Sequence, residues 1–370
     1  MKDFHGIIFA YNTFPELREL VKLRTAASLP FCGRYRLIDF PLSSMRNAGI
    51  FDVGVIVQRD YQSLLDHIGS GKPWDMSRRD AGLRMLPPFG LPEYHKGNYT
   101  GTIEALNAVS TYIENITSKY IVLMLGNMYA NIDLYEPMQQ HVRSGAEITA
   151  ICAAHCVDGC RLRYVTGSDG RVGQMLIEPR DESRGVASLE AYIINRDTLL
   201  SLMQSCREQN LYRFHKDALS RYLNEGGRMD VYMHEGYSSI IRTVDSYYRA
   251  NMDMLDSVNR RELFPASRPV RTKFREEVST YYGEHSSSRN CLVADNCIIE
   301  GNIENCIVFS GARIGKGAKL RNCIIMRRCT VGPWSELNYV IADKGVVFSA
   351  GTTLTGSDKL PTVVPKGTEI

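Results

Sequence analysis

The chain has 370 residues, 44% of them hydrophobic and 23% charged, with a formal net charge of +3. That length and apolar content suit a globular protein of about two domains. So small a net charge, with no sustained basic run interleaved with aromatics, excludes a general nucleic-acid or membrane-surface binder and leaves acidic small molecules open as partners. The opening MKDFHGIIFAYN turns polar after a short apolar run, which does not fit a signal peptide. No uncharged segment is long enough to span a bilayer, so a cytoplasmic location is expected.

From Gly6 onward, short aliphatic runs alternate with helical patterns. GIIFA, VGVIVQ, YIVLML and EITAICAA read as strands, and GTIEALNAVSTYIENI reads as helical. The alternation predicts a predominantly parallel sheet covered by helices, with ligands held at the C-terminal ends of its strands. YNTFPE (11–16) and GNMYANID (126–133) occupy such ends. A strand-to-helix turn that holds phosphate normally does so with glycines, and YNTFPE has none. Cys152, His155, Cys156 and Cys160 raise the question of a metal cluster, but their spacing of four fits no common zinc pattern. Free thiols are expected for the ten cysteines.

Between about 257 and 290 the periodicity fades, and FPASRPVRTKF and GEHSSSRN gain Pro, Ser and charge, as a connection between domains would. A repeat follows. Ile303, Val308, Ile314, Leu320, Ile325 and Val331 recur every five or six residues with small residues between them, and Asn-Cys recurs in the same stretch. Hexapeptide spacing of this kind predicts a left-handed parallel β-helix, an architecture that stacks well and favours oligomers. The expected division is a nucleotide-site domain over 1–256, a connection over 257–290 and the β-helix over 291–370.

FCGRYRLIDFPLSSMRNAGI, NYTGTIEAL, LMLGNMYANIDL and VDSYYRANMDML, taken in order and followed by the repeat, resemble the ADP-glucose pyrophosphorylases (glucose-1-phosphate adenylyltransferases). The resemblance covers nearly the whole chain. It implies an α/β, Rossmann-like nucleotidyltransferase domain of GT-A-like type followed by the left-handed β-helix, in a tetramer that makes the glucosyl donor for bacterial glycogen.

Active members of that family carry a GGxGTRL loop and then RAKPA. Here the loop positions are Tyr11, Asn12, Thr13, Phe14, Pro15 and Glu16, so every glycine is replaced. Backbone N–H groups must approach a triphosphate closely, which a Cβ obstructs, and Pro15 has no N–H to offer. Glu16 stands where the family has arginine, turning attraction for phosphate into repulsion of about 1 to 4 kcal/mol depending on exposure. Ala26 stands at the lysine of RAKPA. Mg²⁺ prefers carboxylate ligands, but at the two metal-binding aspartates implied by the resemblance this chain has Asn127 and Ile240, with Arg242 at a neighbouring glycine.

The implied sugar-phosphate pocket keeps Gly101, Thr102, Glu178 and Ser188. It lacks the lysine after Glu178, for whose charge Arg180 is a partial substitute, and places Glu190 at a glycine. The family also binds anionic effectors near the RAKPA-like segment and the β-helix. Arg24 and Arg36 match basic positions there, Arg321, Arg327 and Arg328 add charge, and Leu23 and Pro30 depart from the pattern. A solvated face or interface ion pairs would account for the same arginines.

These losses imply a catalytically degenerate, regulatory D-type subunit that binds no cofactor itself. It would assemble, in a heterotetramer, with a homologous catalytic subunit holding ATP and Mg²⁺, and would respond to an anionic sugar-phosphate or nucleotide effector. The alternatives are an active nucleotidyltransferase with a site remodelled around Asp133, and a stand-alone sugar-phosphate sensor or scaffold.

Overall fold

A computed structural model of the chain describes residues 3–78, 81–88, 99, 101–154, 160–181, 183–274 and 276–370. The chain packs as two compact units that do not follow sequence order. One comprises Met1–Asn12, Ile38–Ile240 and Leu263–Arg271, and the other Thr13–Leu37, Ile241–Glu262 and Thr272–Ile370.

The first unit is built on a nine-stranded sheet. Strand Phe4–Phe9 lies at its centre, paired in parallel with Val53–Ile56 on one edge and Tyr120–Leu125 on the other, and Leu83–Leu86 extends the parallel half beyond Val53–Ile56. The apolar runs of these strands suit a sheet buried on both faces. Gly6 lets helix Asp39–Asn47 lie close against the sheet, because a Cβ there would fall 2.5 Å from Met45 Sδ.

The other half corrects the expectation of a predominantly parallel sheet. Val186–Asn195 pairs antiparallel with Tyr120–Leu125, Ile148–Ala153 and Leu162–Thr166, and Val172–Ile177 pairs antiparallel with Leu162–Thr166. For the last of these pairs the reason is the connection: the turn at Gly167–Gly170, with Gly170 at φ +77°, is too short for a parallel crossover between Leu162–Thr166 and Val172–Ile177. The predicted helix over GTIEALNAVSTYIENI also breaks in two, Thr102–Asn107 and Ser110–Glu114.

In the second unit three five-stranded parallel sheets wind into the β-helix. Ile303, Leu320 and Leu337 stack on one ladder, Val308 and Ile325 on the next, and Ile314 and Val331 on the third, all buried. The first coil begins at Tyr281–Tyr282 and Ser287–Arg289, inside the stretch 257–290 read as a connection. Its strand residues, two exposed tyrosines and the polar Ser-Ser-Arg, lack the aliphatic side chains that mark the later coils. Ser257–Leu263 is a helix.

The recurring Asn-Cys has a structural cause. Asn290, Asn305 and Asn322 take positive φ of 48°, 51° and 52° at successive corners, a conformation that asparagine tolerates better than other residues with a side chain. Their amides form a ladder: Asn290 Nδ2 donates to Asn305 Oδ1 (2.8 Å), Asn305 to Asn322 (3.3 Å) and Asn322 to Asn338 (3.1 Å). The following Cys306 and Cys323 fill the buried interior.

Helix Val244–Asp253, opened by a Thr243/Ser246 capping box, belongs to the same unit. Tyr248 Oη donates to Asn322 O at 2.9 Å, Tyr247 Oη donates to Pro30 O at 2.7 Å, and Asn251 Oδ1 accepts from Cys32 N at 3.0 Å. Among the described residues no helix is long and apolar enough to cross a membrane.

Replacing Asn322 with Ala removes two ladder bonds and puts alanine in a left-handed corner. We expect a loss of about 2 kcal/mol in urea unfolding of the β-helix, with Asn322→Gly recovering only the backbone share.

Candidate functional site

In the first unit the strand order reverses between Phe4–Phe9 and Tyr120–Leu125, the kind of switch point that opens a ligand crevice. Gly126 N donates to Phe9 O at 2.8 Å, so the two strand ends are fixed side by side. Tyr11 leaves the first of them. It is buried, its hydroxyl donates to Thr102 Oγ1 at 3.3 Å, and its ring meets Tyr99 edge-on with centroids 5.1 Å apart. Burial pushes the Tyr11 phenol up to about 12 against the opposing Thr102 bond, and the Glu190 and Glu104 carboxylates push the same way as burial. It is therefore a neutral donor at physiological pH.

Gly101 is required by close approach, because a Cβ would stand 2.2 Å from Tyr212 O. Ser188 is buried, and its Oγ accepts from Glu190 N at 3.0 Å, where the register against Ile148–Ala153 slips. Glu190 takes φ +52°, and its carboxylate, 11% exposed, lies 3.9 Å from His215 Nε2. The contacts thus gather Tyr11, Thr102, Ser188 and Glu190 around one crevice. Glu178 is more exposed, and its carboxylate is 3.9 Å from Arg161.

Asn127 follows Gly126 at the neighbouring strand end and is 1% exposed. The next residue, Met128, pairs with Ile240 in a two-stranded ribbon, so positions 127 and 240 are brought together. Ile240 is 0% exposed. An amide and an alkyl group stand where the resemblance implies a carboxylate pair, and this donor set does not fit Mg²⁺. Asp133 accepts from Tyr135 N at 3.1 Å and lies 3.5 Å from an Arg268 guanidinium nitrogen. Cys152 is buried in its strand and Cys160 Sγ donates to Leu162 O, while His155 and Cys156 lie outside the described residues.

The second unit holds the rest of the loop. Phe14 takes φ +34° and Arg18 φ +51°. At Phe14, as at Glu190, the resemblance implies glycine, and the left-handed backbone is kept while a side chain is carried, at about 1 to 2 kcal/mol each. Arg242, at another position where the resemblance implies glycine, is 5% exposed, and its guanidinium lies 5.8 Å from the Phe14 ring centroid, within cation–π reach. Glu16 is exposed and Ala26 fully buried.

The same unit contains a basic cluster. Arg24, 3% exposed, forms an ion pair with Asp343, 1% exposed. Lys344 is pushed down to about 6, first by burial and then by Arg36 and Arg24, with Asp343 opposing and Lys366 adding to the fall. Gly345 N donates to Arg327 O and Gly367 N to Lys344 O, so the corners at 327, 344 and 366 stack on successive coils. Arg327 is paired with Glu277 at 2.6 Å, and Arg328 beside it is exposed. Arg321 sits on a different ladder, 3.5 Å from Glu304. Lys344 and Lys366 escaped the sequence reading; their signal was the pair of corner turns DKG and PKG.

The sequence pattern of nucleotidyl transferases matches residues 16–257, and that of the GlmU-like C-terminal hexapeptide matches 272–360. The chain is 31% identical to the glycogen biosynthesis protein GlgD of Bacillus subtilis (strain 168), over 98% of this chain and 95% of that one. The chain belongs to the glucose-1-phosphate adenylyltransferase family of nucleotidyl transferases. Family members named glucose-1-phosphate adenylyltransferase are 30% identical in Halalkalibacterium halodurans, over 96% of this chain and 94% of the other, and 30% in Fusobacterium nucleatum, over 86% and 84%.

Two outcomes are expected. If position 190 is a glycine site by conformation, Glu190→Gly is more stable than Glu190→Ala by about 1 kcal/mol in thermal or urea unfolding. Lys344 titrates near 10.5 when unfolded and near 6 when folded. Between those values the unfolded chain binds the extra proton, so stability rises with pH across that window and Lys344→Met flattens the rise.

Proposed function

We propose that this chain is a catalytically degenerate, regulatory subunit of an ADP-glucose pyrophosphorylase. It modulates the synthesis of ADP-glucose from ATP and glucose 1-phosphate for glycogen, within a cytoplasmic heterotetramer. A homologous catalytic subunit supplies the ATP and Mg²⁺ site. The observation that carries this reading is the pair of family glycine positions, Phe14 and Glu190, which retain a left-handed backbone while carrying large side chains. A backbone shaped to let phosphate and sugar approach has been kept, and the approach is obstructed by an aromatic ring in one place and a carboxylate in the other.

The metal positions point the same way. Asn127 and Ile240 offer one neutral oxygen where two negative charges would offset those of a triphosphate. The crevice beside them takes in the chain's own Tyr11, hydrogen-bonded to Thr102. The remodelled-enzyme alternative, with Asp133 as a substitute ligand, is disfavoured because one oxygen of that carboxylate already accepts from the Tyr135 amide and no second carboxylate stands at position 127 or 240.

A subunit without turnover acts by shifting its neighbour's equilibrium, which requires contacts that differ between two states. Arg24, Arg36 and Lys366 around Lys344, with Arg24 paired to the Asp343 carboxylate, supply a cluster suited to an anionic effector. Arg327 and Arg328 stand at the adjacent corner; Arg321, on another ladder, is not assigned to it.

The test measures ADP-glucose formation from ATP, glucose 1-phosphate and Mg²⁺ by this chain alone, by a homologous catalytic subunit alone, and by the two co-expressed. We expect no turnover by this chain, and a changed rate or effector dependence in the co-expressed complex. Turnover by the isolated chain would sink the proposal.

A further inference from the structure

Within the first unit lies a cleft of about 290 Å³ whose lining shares no residue with Tyr11, Thr102, Ser188 and Glu190. Three segments line it: the end of helix Asp39–Asn47 with Ser44, Arg46 and Asn47, the turn Ile132–Leu134, and the stretch Ser267–Pro269. The segments are locked to one another. Ile132 N donates to Ser44 Oγ at 3.1 Å, Asn47 Nδ2 to Pro269 O at 3.2 Å, and Asn131 Nδ2 to Leu263 O and Arg268 O at 3.0 and 2.7 Å. The cleft is therefore a preformed cavity rather than a gap between loose loops.

Two guanidinium groups line it, and neither is well satisfied. Arg46 Nη2 is 4.0 Å from an Asp75 carboxylate that is itself largely exposed, and Arg268 Nη1 is 3.5 Å from Asp133. Both contacts exceed ordinary charge-assisted hydrogen-bond lengths of about 2.7 to 2.9 Å. The Nε–H groups of Arg46 and Arg268 are buried and have no acceptor among the described residues. Buried donors left unmatched are uncommon in folded proteins, and with the Arg46 and Arg268 side chains 28% and 29% exposed, an anion in the cleft meets each guanidinium from its open side.

The helix end does not oppose an anion as strongly as helix polarity alone suggests. Its final carbonyls already accept hydrogen bonds, Ser44 O from Ala48 N, Met45 O from Ile50 N and Arg46 O from Gly49 N. Among the described residues, Asp133 is the one carboxylate lining the cleft. Two forked guanidiniums with hydroxyl and amide groups beside them match the oxygens of a phosphate group, which accepts bidentate bonds from arginine.

We infer that this cleft binds a small phosphate-bearing molecule through Arg46 and Arg268, with Ser44, Ser267 and Asn47 placed around its uncharged part. The site shares no residue with the basic cluster at Arg24, Arg36 and Lys344, and its occupancy does not depend on whether the chain turns over substrate.

Calorimetric titration of inorganic phosphate and of glucose 1-phosphate is made into the full chain carrying Arg36→Gln and Lys344→Gln, which weaken the other cluster, and the cleft substitutions assign the remaining binding. Saturable binding is expected, with Kd raised at least tenfold by either Arg46→Gln or Arg268→Gln. Ser267→Tyr, at an exposed position that keeps both arginines, should abolish binding of the sugar phosphate by filling the cleft while the far-ultraviolet circular dichroism stays unchanged. No saturable binding in the parent, or binding indifferent to Ser267→Tyr and to the arginine substitutions, overturns the inference.

Discussion

Strand Phe4–Phe9 is hydrogen-bonded along both edges by parallel neighbours, and nearly all of its residues are buried. Its position is therefore fixed by backbone pairing and burial, whatever residues follow it. The Gly126 to Phe9 hydrogen bond then fixes the adjacent strand end. A crevice at that switch point follows from topology alone, before any catalytic residue is specified. The chemistry there can drift while the architecture persists, because the groups that hold the sheet and the groups that would hold a triphosphate are different groups.

The left-handed residues Phe14 and Glu190 mark positions where the resemblance implies glycine and this chain carries a side chain. A glycine position is recognised by its φ, and φ is set by surrounding packing as much as by the residue itself. Phe14 and Glu190 retain the conformation and accept its strain. Arg242 lies over the Phe14 ring within the same unit, so two replaced positions now support each other. On the function proposed above, this surface is kept for its shape and its place in an assembly rather than for phosphate access.

Much of this was legible in the residues. The aliphatic runs located the strands because burial on both faces leaves a continuous apolar signature, and the repeat located the β-helix because each coil must present an aliphatic side chain inward. Asn127 and Ile240 were found separately, and the Met128–Ile240 pairing shows that they are neighbours. The antiparallel half of the sheet was not legible, since strand direction depends on turn length and long-range pairing rather than on periodicity. The first coil at Tyr281 was missed for want of an apolar pattern. Lys344 and Lys366 were missed because a lysine in a glycine turn resembles any solvated corner; only the stacking of coils brings the two corners together.

Arg24 and Asp343 are separated by 319 residues in sequence. A nascent chain emerging from the ribosome at roughly 5 to 20 residues per second must therefore carry Arg24 without its counter-ion until synthesis is almost complete. The segment 13–37 belongs to the unit that includes the C-terminal coils, so this unit cannot close vectorially behind the growing chain. Truncation near the C-terminus would strand a buried guanidinium far upstream, and quality control would meet the defect at the opposite end of the polypeptide from the lesion that caused it.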